Sequence, residues 1–237
     1  MPDWKTAMSS RAEQKLQTRH ALLDAARMLM SSGRGFGSLS LREVTRSAGI
    51  VPAGFYRHFP DMDAFGLALV AEVGETFRET LRRVRHNEIE LRGVIDASVG
   101  IFIEAVAEHR SQFIFLAREQ YGGSLSIRQA ISELRQHITD DLALDLSQLN
   151  RLPHLSCQDI DVLADLVVKT VFATLPELID VPDEGLEPHK TPQAKIIHQL
   201  RFIMIGAKHW RGLNMLFAPN QGEPLPSDPL LHRNQAN

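Results

Sequence analysis

The segment from residue 33 to residue 59, GRGFGSLSLREVTRSAGIVPAGFYRHF, restricts the fold of this chain more than any other. Ser40 is suited to cap the amides of a helix that begins at Leu41, and Glu43 follows at the spacing of a capping box. Gly49 comes after the apolar positions of that helix, where a left-handed C-terminal residue is best made by glycine. The pattern therefore predicts a short helix that begins at Leu41 and ends at Gly49.

A second helix is predicted from Pro52 to Phe59, because proline is favoured in the first turn of a helix. Phe55 and Phe59 are four residues apart, so both are expected to bury against the first helix. Three side chains that form hydrogen bonds are left outside this apolar face: Tyr56, Arg57 and His58. Two short helices joined by a tight turn are typical of a helix-turn-helix, although the same geometry also occurs as an ordinary corner in all-α proteins.

The distribution of charge favours nucleic-acid binding. Residues 1–60 contain nine Lys and Arg residues against four Asp and Glu residues, a formal charge of +5. The whole chain carries −3, so residues 61–237 sum to −8. A basic N-terminal segment on an acidic body is typical of proteins that bind DNA.

The position of each side chain predicts its role toward DNA. The side chains placed to bind backbone phosphates are Arg42, Tyr56 and His58. Small or apolar residues at the start of the second helix would let the backbone approach the bases and contact thymine methyl groups. The residues expected to read bases are Val51, Ala53, Gly54 and Arg57.

The rest of the chain is predicted to be helical. Apolar residues recur at helical spacing, without sustained two-residue alternation, in 11–31, 62–84, 89–107, 111–121, 125–150, 159–180 and 193–217. Asp61 is a suitable cap for the helix that joins the N-terminal segment to the body. The predicted organisation is a flexible N-terminus (1–10), a helix-turn-helix DNA-binding domain (11–60), a helical ligand-binding and dimerisation domain (61–217) and a flexible tail (218–237).

Composition excludes several classes of protein. No apolar run reaches the length of a bilayer and the N-terminus lacks a secretory apolar region, so we expect a cytoplasmic protein without a membrane partner. The single cysteine, Cys157, excludes an internal disulfide. Scattered histidines predict no metal site, and we find neither a phosphate-binding loop nor a nucleophile with its base. We therefore expect no enzymatic activity and no cofactor.

The predicted body is rich in large apolar residues. Most of them must form the core, but a hydrophobic tunnel with cations at its mouth would also suit a long acyl chain with a phosphate-rich head. The residues assigned to such a ligand site are Phe102, Phe113, Leu116, Phe172 and Leu175 for the chain, and Arg118, Arg128 and Lys169 for the head group.

The last two predicted helices carry more apolar surface than one core needs, which indicates a homodimer. The residues assigned to its interface are Leu163, Val167, Val171, Ile196, Leu200, Ile203 and Ala207. Packing of the same two helices within one chain is the alternative.

Residues 18–59 resemble the N-terminal domain of the TetR family of repressors. The matching positions are Arg19, Ala25-Ala26, Gly35-Phe36, Ser40-Leu41-Arg42-Glu43-Val44, Ala48-Gly49-Ile50 and Phe55-Tyr56-Arg57-His58-Phe59. The stretches SLSLREV, AGIVPAGFYRHFPDMDAFGLALV, FLAREQYGGS and QLRFIMIGAKHW extend the resemblance, from about residue 10 to about residue 215, to the DesT/FabR-type regulators of unsaturated fatty-acid synthesis.

The resemblance implies a TetR-like all-α fold and a dimeric repressor that binds a palindromic operator in double-stranded DNA. It also implies long-chain acyl-CoA as the effector ligand, with the saturation of the chain as the signal. One position departs from the family, which often has a phosphate-binding Lys where this chain has Met62. The phosphate contacts are therefore expected from Arg42, Tyr56, His58 and basic residues of the first helix.

Three alternatives remain open at this point. The chain could be a TetR-like repressor that responds to another amphipathic small molecule, or a DNA-binding protein without sequence preference and without a ligand. The third alternative, from a different class, is a non-regulatory all-α acyl-CoA-binding protein or enzyme whose basic segment binds a protein partner.

Overall fold

The computed structural model describes residues 4–86, 93–148, 152–180 and 187–212. Within these ranges the chain consists of helices and connecting turns, which confirms the all-α fold. The helices are α1 (Trp4–Ser31), α2 (Leu41–Ser47), α3 (Pro52–Phe55), α4 (Met62–His86), α5 (Val94–Glu108), α6 (Arg110–Glu119), α7 (Leu125–Gln148), α8 (Cys157–Asp180) and α9 (Pro192–His209), with short 3-10 turns at Phe36–Ser38 and Pro188–Lys190. None of the helices in these four ranges combines the length and the apolar character needed to cross a membrane.

Helix α2 begins where the sequence predicts. The Glu43 amide donates to Ser40 Oγ at 3.3 Å and the Ser40 amide donates to Glu43 Oε2 at 3.0 Å, so the capping box is present. The helix ends at Ser47, and Gly49 takes the predicted left-handed conformation with a φ of 68°. Glycine is favoured there because a Cβ is strained at positive φ.

Helix α3 is shorter than predicted, since it ends at Phe55 rather than at Phe59. The chain then continues through turns in which the His58 and Phe59 amides donate to the Phe55 carbonyl at 2.8 and 3.0 Å. Pro60 disfavours a helical conformation at Phe59, the residue before it, so the helix does not continue through this turn into α4. Phe55 and Phe59 are nevertheless buried as predicted, with 0% and 3% of their surface exposed.

The ends of the longer helices differ from the predicted ones by several residues. Helix α1 begins at Trp4, seven residues before the predicted start, and α9 ends at His209 rather than at residue 217. The predicted tail, 218–237, lies outside the described residues. Asp61 caps α4 as expected, because its Oδ1 accepts from the Ala64 amide at 2.7 Å.

One continuous core joins the N-terminal helices to the body. Phe36, before α2, packs against Phe65 on α4 and Phe115 on α6, with ring centroids 6.2 and 6.0 Å apart. Burial of such rings contributes about 25 cal/mol per Å² of apolar surface. The N-terminal helices are therefore packed on the body rather than tethered beside it.

Candidate nucleic-acid interface

Most of the side chains predicted to contact DNA are accessible to solvent. Val51 is 70% exposed and Tyr56 is 61% exposed, and both belong to the segment around α3. Arg42 in the first turn of α2, together with Ala53 and Arg57, is also exposed. Exposure of apolar Val51 beside polar side chains is the arrangement that base contact requires.

Gly54 has a packing role in addition to the one predicted from its size. It is only partly exposed, and a Cβ at this position would lie 2.6 Å from Ile50 Cγ2. Ile50 is β-branched and has little rotamer freedom with which to withdraw. Gly54 is therefore required for packing between the turn and α3, and direct approach of its backbone to a base is not needed to explain it.

His58 occupies a partly buried, positively charged environment. Burial lowers the pKa of His58 below its ordinary value of 6.5, and the charges of Lys15, Arg19 and Arg57 lower it further. The ring is therefore mostly neutral near pH 7 in the free protein. Its centroid lies 6.3 Å from that of Phe59.

Helix α1 adds basic residues to this region. The Arg19 guanidinium carbon lies 5.2 Å from the centroid of the Phe59 ring, a cation–π contact. Lys15 precedes Arg19 by one helical turn and is exposed. The sequence indicated basic residues of the first helix only as a group, and the spacing of these two residues on one helical face is the feature that singles them out.

Helix α2 is held by an ion pair besides its capping box. Arg34 Nη1 donates to Glu43 Oε1 at 2.9 Å, and Arg34 Nη2 donates to the Ser38 carbonyl at 2.7 Å. The hydrogen bonds from Arg34 and then from Ser40 lower the pKa of Glu43 to about 2. The α2 N-terminus and the loop before it therefore form one hydrogen-bonded unit.

The last turn of α6 holds the connection between α1 and α2. Glu119 is buried, and its Oε1 accepts from the Phe36 amide at 2.7 Å. Arg118 Nη1 donates to the Met30 carbonyl at 3.1 Å. A Cβ at Gly122 would lie 2.1 Å from Glu119 Oε2, so glycine leaves room for this carboxylate. We call these two contacts, from Glu119 to Phe36 and from Arg118 to Met30, the α6 clamp.

A second link joins α1 to α4. Arg27 forms ion pairs with Asp24 on its own helix and with Glu72 on α4. Arg27 is therefore engaged within the chain and is not part of the basic surface around His58.

The residues predicted to line a ligand tunnel are closely packed in this structure. Phe102, Phe113 and Phe172 are at most 8% exposed, as are Leu116 and Leu175. The Phe77 ring stacks on Phe172 with centroids 5.3 Å apart, and Phe102 meets Phe113 edge-on at 5.9 Å. These rings fill the space between them, so the structure shows a core at this position, not an open tunnel.

The three predicted head-group cations each have a different partner within the chain. Arg118 belongs to the α6 clamp, and Arg128 donates to the Gly122 carbonyl near the start of α7. Lys169 pairs with Asp165 at 2.6 Å on the exposed side of α8. The structure does not gather these three cations at one opening.

The predicted dimer surface needs a correction. Leu163, Ile196 and Leu200 are at most 7% exposed within a single chain, so they belong to its interior. Ile196 and Leu200 pack with Val99 of α5 in a second apolar cluster. Four other predicted interface residues are partly exposed: Val167, Val171, Ile203 and Ala207.

The exposed apolar side of α8 and α9 includes Leu166, which belongs to the apolar side predicted for α8, and Val162, Phe202 and Ile205, which the sequence interpretation did not select. Their exposed fractions are 59% for Val162, 45% for Leu166, 75% for Phe202 and 61% for Ile205. We call these four residues the α8–α9 face. Helical periodicity could not distinguish it from the inner side, because both sides of these helices are apolar.

Within the described ranges, no group of three or more His, Cys, Asp or Glu side chains could hold a metal ion. An open groove of about 650 Å³ lies along α9 and the 3-10 turn before it, and one of about 330 Å³ lies between α8 and α9. The smaller groove is lined by Leu166, Lys169 and Ala173, among others, and borders the α8–α9 face.

Comparison with known proteins gives two sequence matches. Residues 22–69 match a family described as bacterial regulatory proteins, tetR family. Residues 91–206 match a family described as Tetracyclin repressor-like, C-terminal domain. The two matches fall on the segment that carries the candidate interface and on the helical body behind it.

Solved structures share the same fold. A TetR-like transcriptional regulator from a Rhodococcus species is 21% identical, with a TM-score of 0.58, and the match covers 80% of this chain and 96% of that one. A TetR-family transcriptional regulator from Streptomyces coelicolor is 16% identical, with a TM-score of 0.61 and coverages of 81% and 97%. The fatty acid degradation regulator FadR from Bacillus halodurans is 12% identical, with a TM-score of 0.64 and coverages of 81% and 97%. Similarity at these identities concerns the fold alone.

Proposed function

The chain belongs to the TetR family of DNA-binding transcriptional regulators, and on that premise we propose that it represses genes for fatty-acid desaturation or unsaturated fatty-acid synthesis in response to the saturation of long-chain acyl-CoA. The predicted TetR-like fold, with an N-terminal helix-turn-helix and a C-terminal helical body, is the one observed. The observation that supports the proposal best is the aromatic core of the body, which is joined to the DNA-binding helices through α6.

The proposed effector site is the cluster of Phe77, Phe102, Phe113 and Phe172. Because these rings are in contact, an acyl chain enters only if the helices that carry them move apart. Phe113 is on α6, the same helix that holds Met30 and Phe36 through the α6 clamp. Movement of α6 would therefore change the position of α1 and α2, and a kinked chain would displace the rings differently from a straight one.

Members of the TetR family bind DNA and dimerise, and we propose that the α8–α9 face forms the contact between two copies of this chain. In that dimer each chain would place one helix-turn-helix on a half-site of a palindromic operator. Arg42 and Tyr56 would bind phosphates, and Val51, Ala53 and Arg57 would contact bases. Binding of acyl-CoA would then change operator affinity by changing the relative position of the two helix-turn-helix motifs.

Sensing is tested by measuring how acyl-CoA changes operator affinity. The operator is first selected from a random pool of duplexes with the purified protein. Its affinity is then measured with palmitoyl-CoA, with oleoyl-CoA and with mixtures of the two. We expect the two ligands to compete for one site and to change operator affinity in opposite directions, by about 5- to 150-fold, the usual range of allosteric coupling.

Two outcomes would contradict the proposal. If neither acyl-CoA changes operator affinity, or if both change it equally, the chain does not sense saturation, and the identity of a co-purified ligand would then indicate another amphipathic effector. If no sequence is enriched from the random pool, the chain is not an operator-specific repressor. A ligand shifts an equilibrium only through the difference in its affinity for the two states, so tight binding of acyl-CoA alone does not count as support.

A further inference from the structure

Helices α4 and α6 contact each other through two neighbouring pairs of side chains. In one pair the rings of Phe77 and Phe113 meet edge-on, with centroids 5.4 Å apart. In the other pair the Thr76 hydroxyl donates to Gln112 Oε1 at 2.6 Å. Because each helix contributes two consecutive residues, an apolar contact and a polar contact lie side by side between the same two helices.

The side-chain amide of Gln112 is only half used within the chain. Its oxygen accepts from Thr76, and none of the residues that the structure describes accepts a hydrogen bond from its Nε2 atom. The Gln112 side chain is partly exposed, whereas Thr76 is buried. An amide nitrogen of glutamine carries two N–H donors, so Gln112 is able to donate to a further group beside the rings.

The position of this donor matches the chemistry of an acyl thioester. Such a ligand has one carbonyl oxygen at the end of a long apolar chain, and a carbonyl that leaves water without a donor is unfavourable. Thr76 and Gln112 directly precede Phe77 and Phe113, so their hydrogen bond lies at the border of the proposed effector site. A chain seated among the rings, with its carbonyl at this border, would find its donor in Gln112 Nε2.

We propose that Gln112 donates a hydrogen bond from Nε2 to the thioester carbonyl of acyl-CoA, and that Thr76 is a positioning residue for the Gln112 amide. The Thr76 hydroxyl holds the amide oxygen, which leaves the N–H groups for the ligand. This assignment rests on the proposed function and adds to it the residue that recognises the polar end of the acyl chain.

A fixed carbonyl gives the site a means of distinguishing a kinked chain from a straight one. The methylene groups of a saturated chain are equivalent, so a chain held only by apolar contacts is free to slide along its own axis. A cis double bond lies at a fixed number of carbon atoms from the carbonyl. When Gln112 holds the carbonyl, the kink therefore falls at one depth among the rings, and a consistent difference in packing results. Such a difference is what a ligand needs to shift an equilibrium between two states.

The first experiment compares two ligands that differ in the thioester oxygen. Palmitoyl-CoA has the carbonyl, and S-hexadecyl-CoA is the thioether of equal chain length without it. Affinities of the full chain for both are measured by calorimetry. We expect the wild type to bind the thioester about 2- to 12-fold more tightly, the net effect of one hydrogen bond. Gln112→Leu should bind both ligands equally, and Gln136→Leu, which alters an exposed glutamine of α7, should keep the wild-type ratio.

Further variants separate recognition of the carbonyl from a structural effect. Gln112→Glu keeps an oxygen for Thr76 but has no N–H donor, so it should also lose the preference for the thioester and decides the outcome if Gln112→Leu does not fold. Thr76→Val should reduce the preference, and Thr76→Ser, which keeps the hydroxyl, should restore it. A purely structural role would change the affinities for both ligands together and leave their ratio unaltered.

The possible failures are distinguishable. If the wild type binds both compounds with equal affinity, or if Gln112→Leu and Gln112→Glu retain its preference, Gln112 does not hold the carbonyl, while acyl-CoA sensing itself stands. If the wild type binds neither compound, the proposed effector is wrong and the role of Gln112 fails with it.

The second experiment measures operator affinity of Gln112→Leu with palmitoyl-CoA and with oleoyl-CoA. We expect the effects of the two ligands to become similar, because the kink no longer has a fixed depth. Gln136→Leu should show the same difference between the ligands as the wild type. A full wild-type difference in Gln112→Leu would overturn the role of Gln112 in fixing the chain.

Discussion

Ala53 and Gly54 are neighbours in α3, but the structure gives them different roles. Ala53 is exposed, whereas a Cβ at Gly54 would collide with Ile50. We predict that Ala53→Leu lowers the preference for operator over random DNA without changing the free energy of unfolding. Gly54→Ala should lower the free energy of unfolding by about 1–3 kcal/mol, because an extra methyl group in a packed site forces its neighbours to shift.

Urea unfolding and competition binding test both variants. Ile50→Ala removes the Cγ2 methyl group, so Gly54→Ala should be less destabilising in that background than in the wild type. The interpretation of Gly54 is wrong if Gly54→Ala unfolds at the same urea concentration as the wild type.

Glu43 makes the stability of the N-terminal helices depend on pH. Its pKa is about 2 in the folded chain, compared with an ordinary value of 4.5, because Arg34 and Ser40 donate hydrogen bonds to its carboxylate. A lowered folded-state pKa contributes stability that is fully present above pH 4.5 and disappears as the pH falls toward 2. We predict that Glu43→Gln is less stable than the wild type at pH 7 and that the difference decreases steadily below pH 4.5.

Urea unfolding of the two proteins at a series of pH values measures this difference. Glu79→Gln, which changes an exposed carboxylate of α4, is the control and should follow the wild type throughout. A difference that stays constant between pH 7 and pH 3 would show that the carboxylate charge of Glu43 does not contribute.

At the scale of elements, α6, like α4, contacts both the N-terminal helices and the rest of the body. Its last turn forms the α6 clamp, and Phe115 packs edge-on against Phe36. We predict that Glu119→Ala lowers the free energy of unfolding by about 1–3 kcal/mol, because the buried Phe36 amide is then left without its acceptor. Glu119→Gln keeps a side-chain acceptor and should be destabilised less.

Denaturant unfolding measures these differences, with Glu133→Ala, an exposed carboxylate of α7, as the control. The same variants separate stability from signalling. If the α6 clamp transmits the effector response, Glu119→Ala will also show a smaller change of operator affinity on addition of acyl-CoA. Equal stability of Glu119→Ala and Glu133→Ala would exclude a structural contribution of the clamp.

At the scale of the whole molecule, the α8–α9 face leaves large apolar side chains in water. Phe202 is 75% exposed in the single chain, more than the other three residues of that face. Large exposed apolar patches of this kind mark interaction sites. If two copies meet here, a charge at Phe202 would be buried without a partner, which costs several kcal/mol.

We therefore predict that Phe202→Asp is a monomer in light scattering and binds the operator more weakly than the wild type. Tyr121→Asp is the matched control, because Tyr121 is 83% exposed in the turn between α6 and α7. A dimer that persists in Phe202→Asp would place the contact between copies elsewhere on the molecule.

The sequence by itself determined the features that depend on neighbouring residues. The capping box of Ser40 and Glu43, the left-handed Gly49 and the burial of Phe55 and Phe59 were all predicted correctly. The capping box and the left-handed glycine arise from interactions within about one or two helical turns, and the spacing of the two phenylalanines marks them as one apolar side, so the local sequence carries the necessary information. The end of α3 was predicted wrongly, because Pro60 excludes a helical conformation at Phe59 but does not indicate that the helix already ends at Phe55.

Tertiary structure decided which side of each helix is covered and which polar groups meet. Leu163 and Phe202 both belong to apolar helices, but only packing against the rest of the chain buries the first and exposes the second. The hydrogen bond from Phe36 to Glu119 joins residues 83 positions apart, and no local pattern predicts it. Arg118 was assigned to a ligand head group from the sequence, but the fold brings the Met30 carbonyl within 3.1 Å of its guanidinium. Contacts between distant segments follow from the relative positions of whole helices, and therefore only the folded molecule determines them.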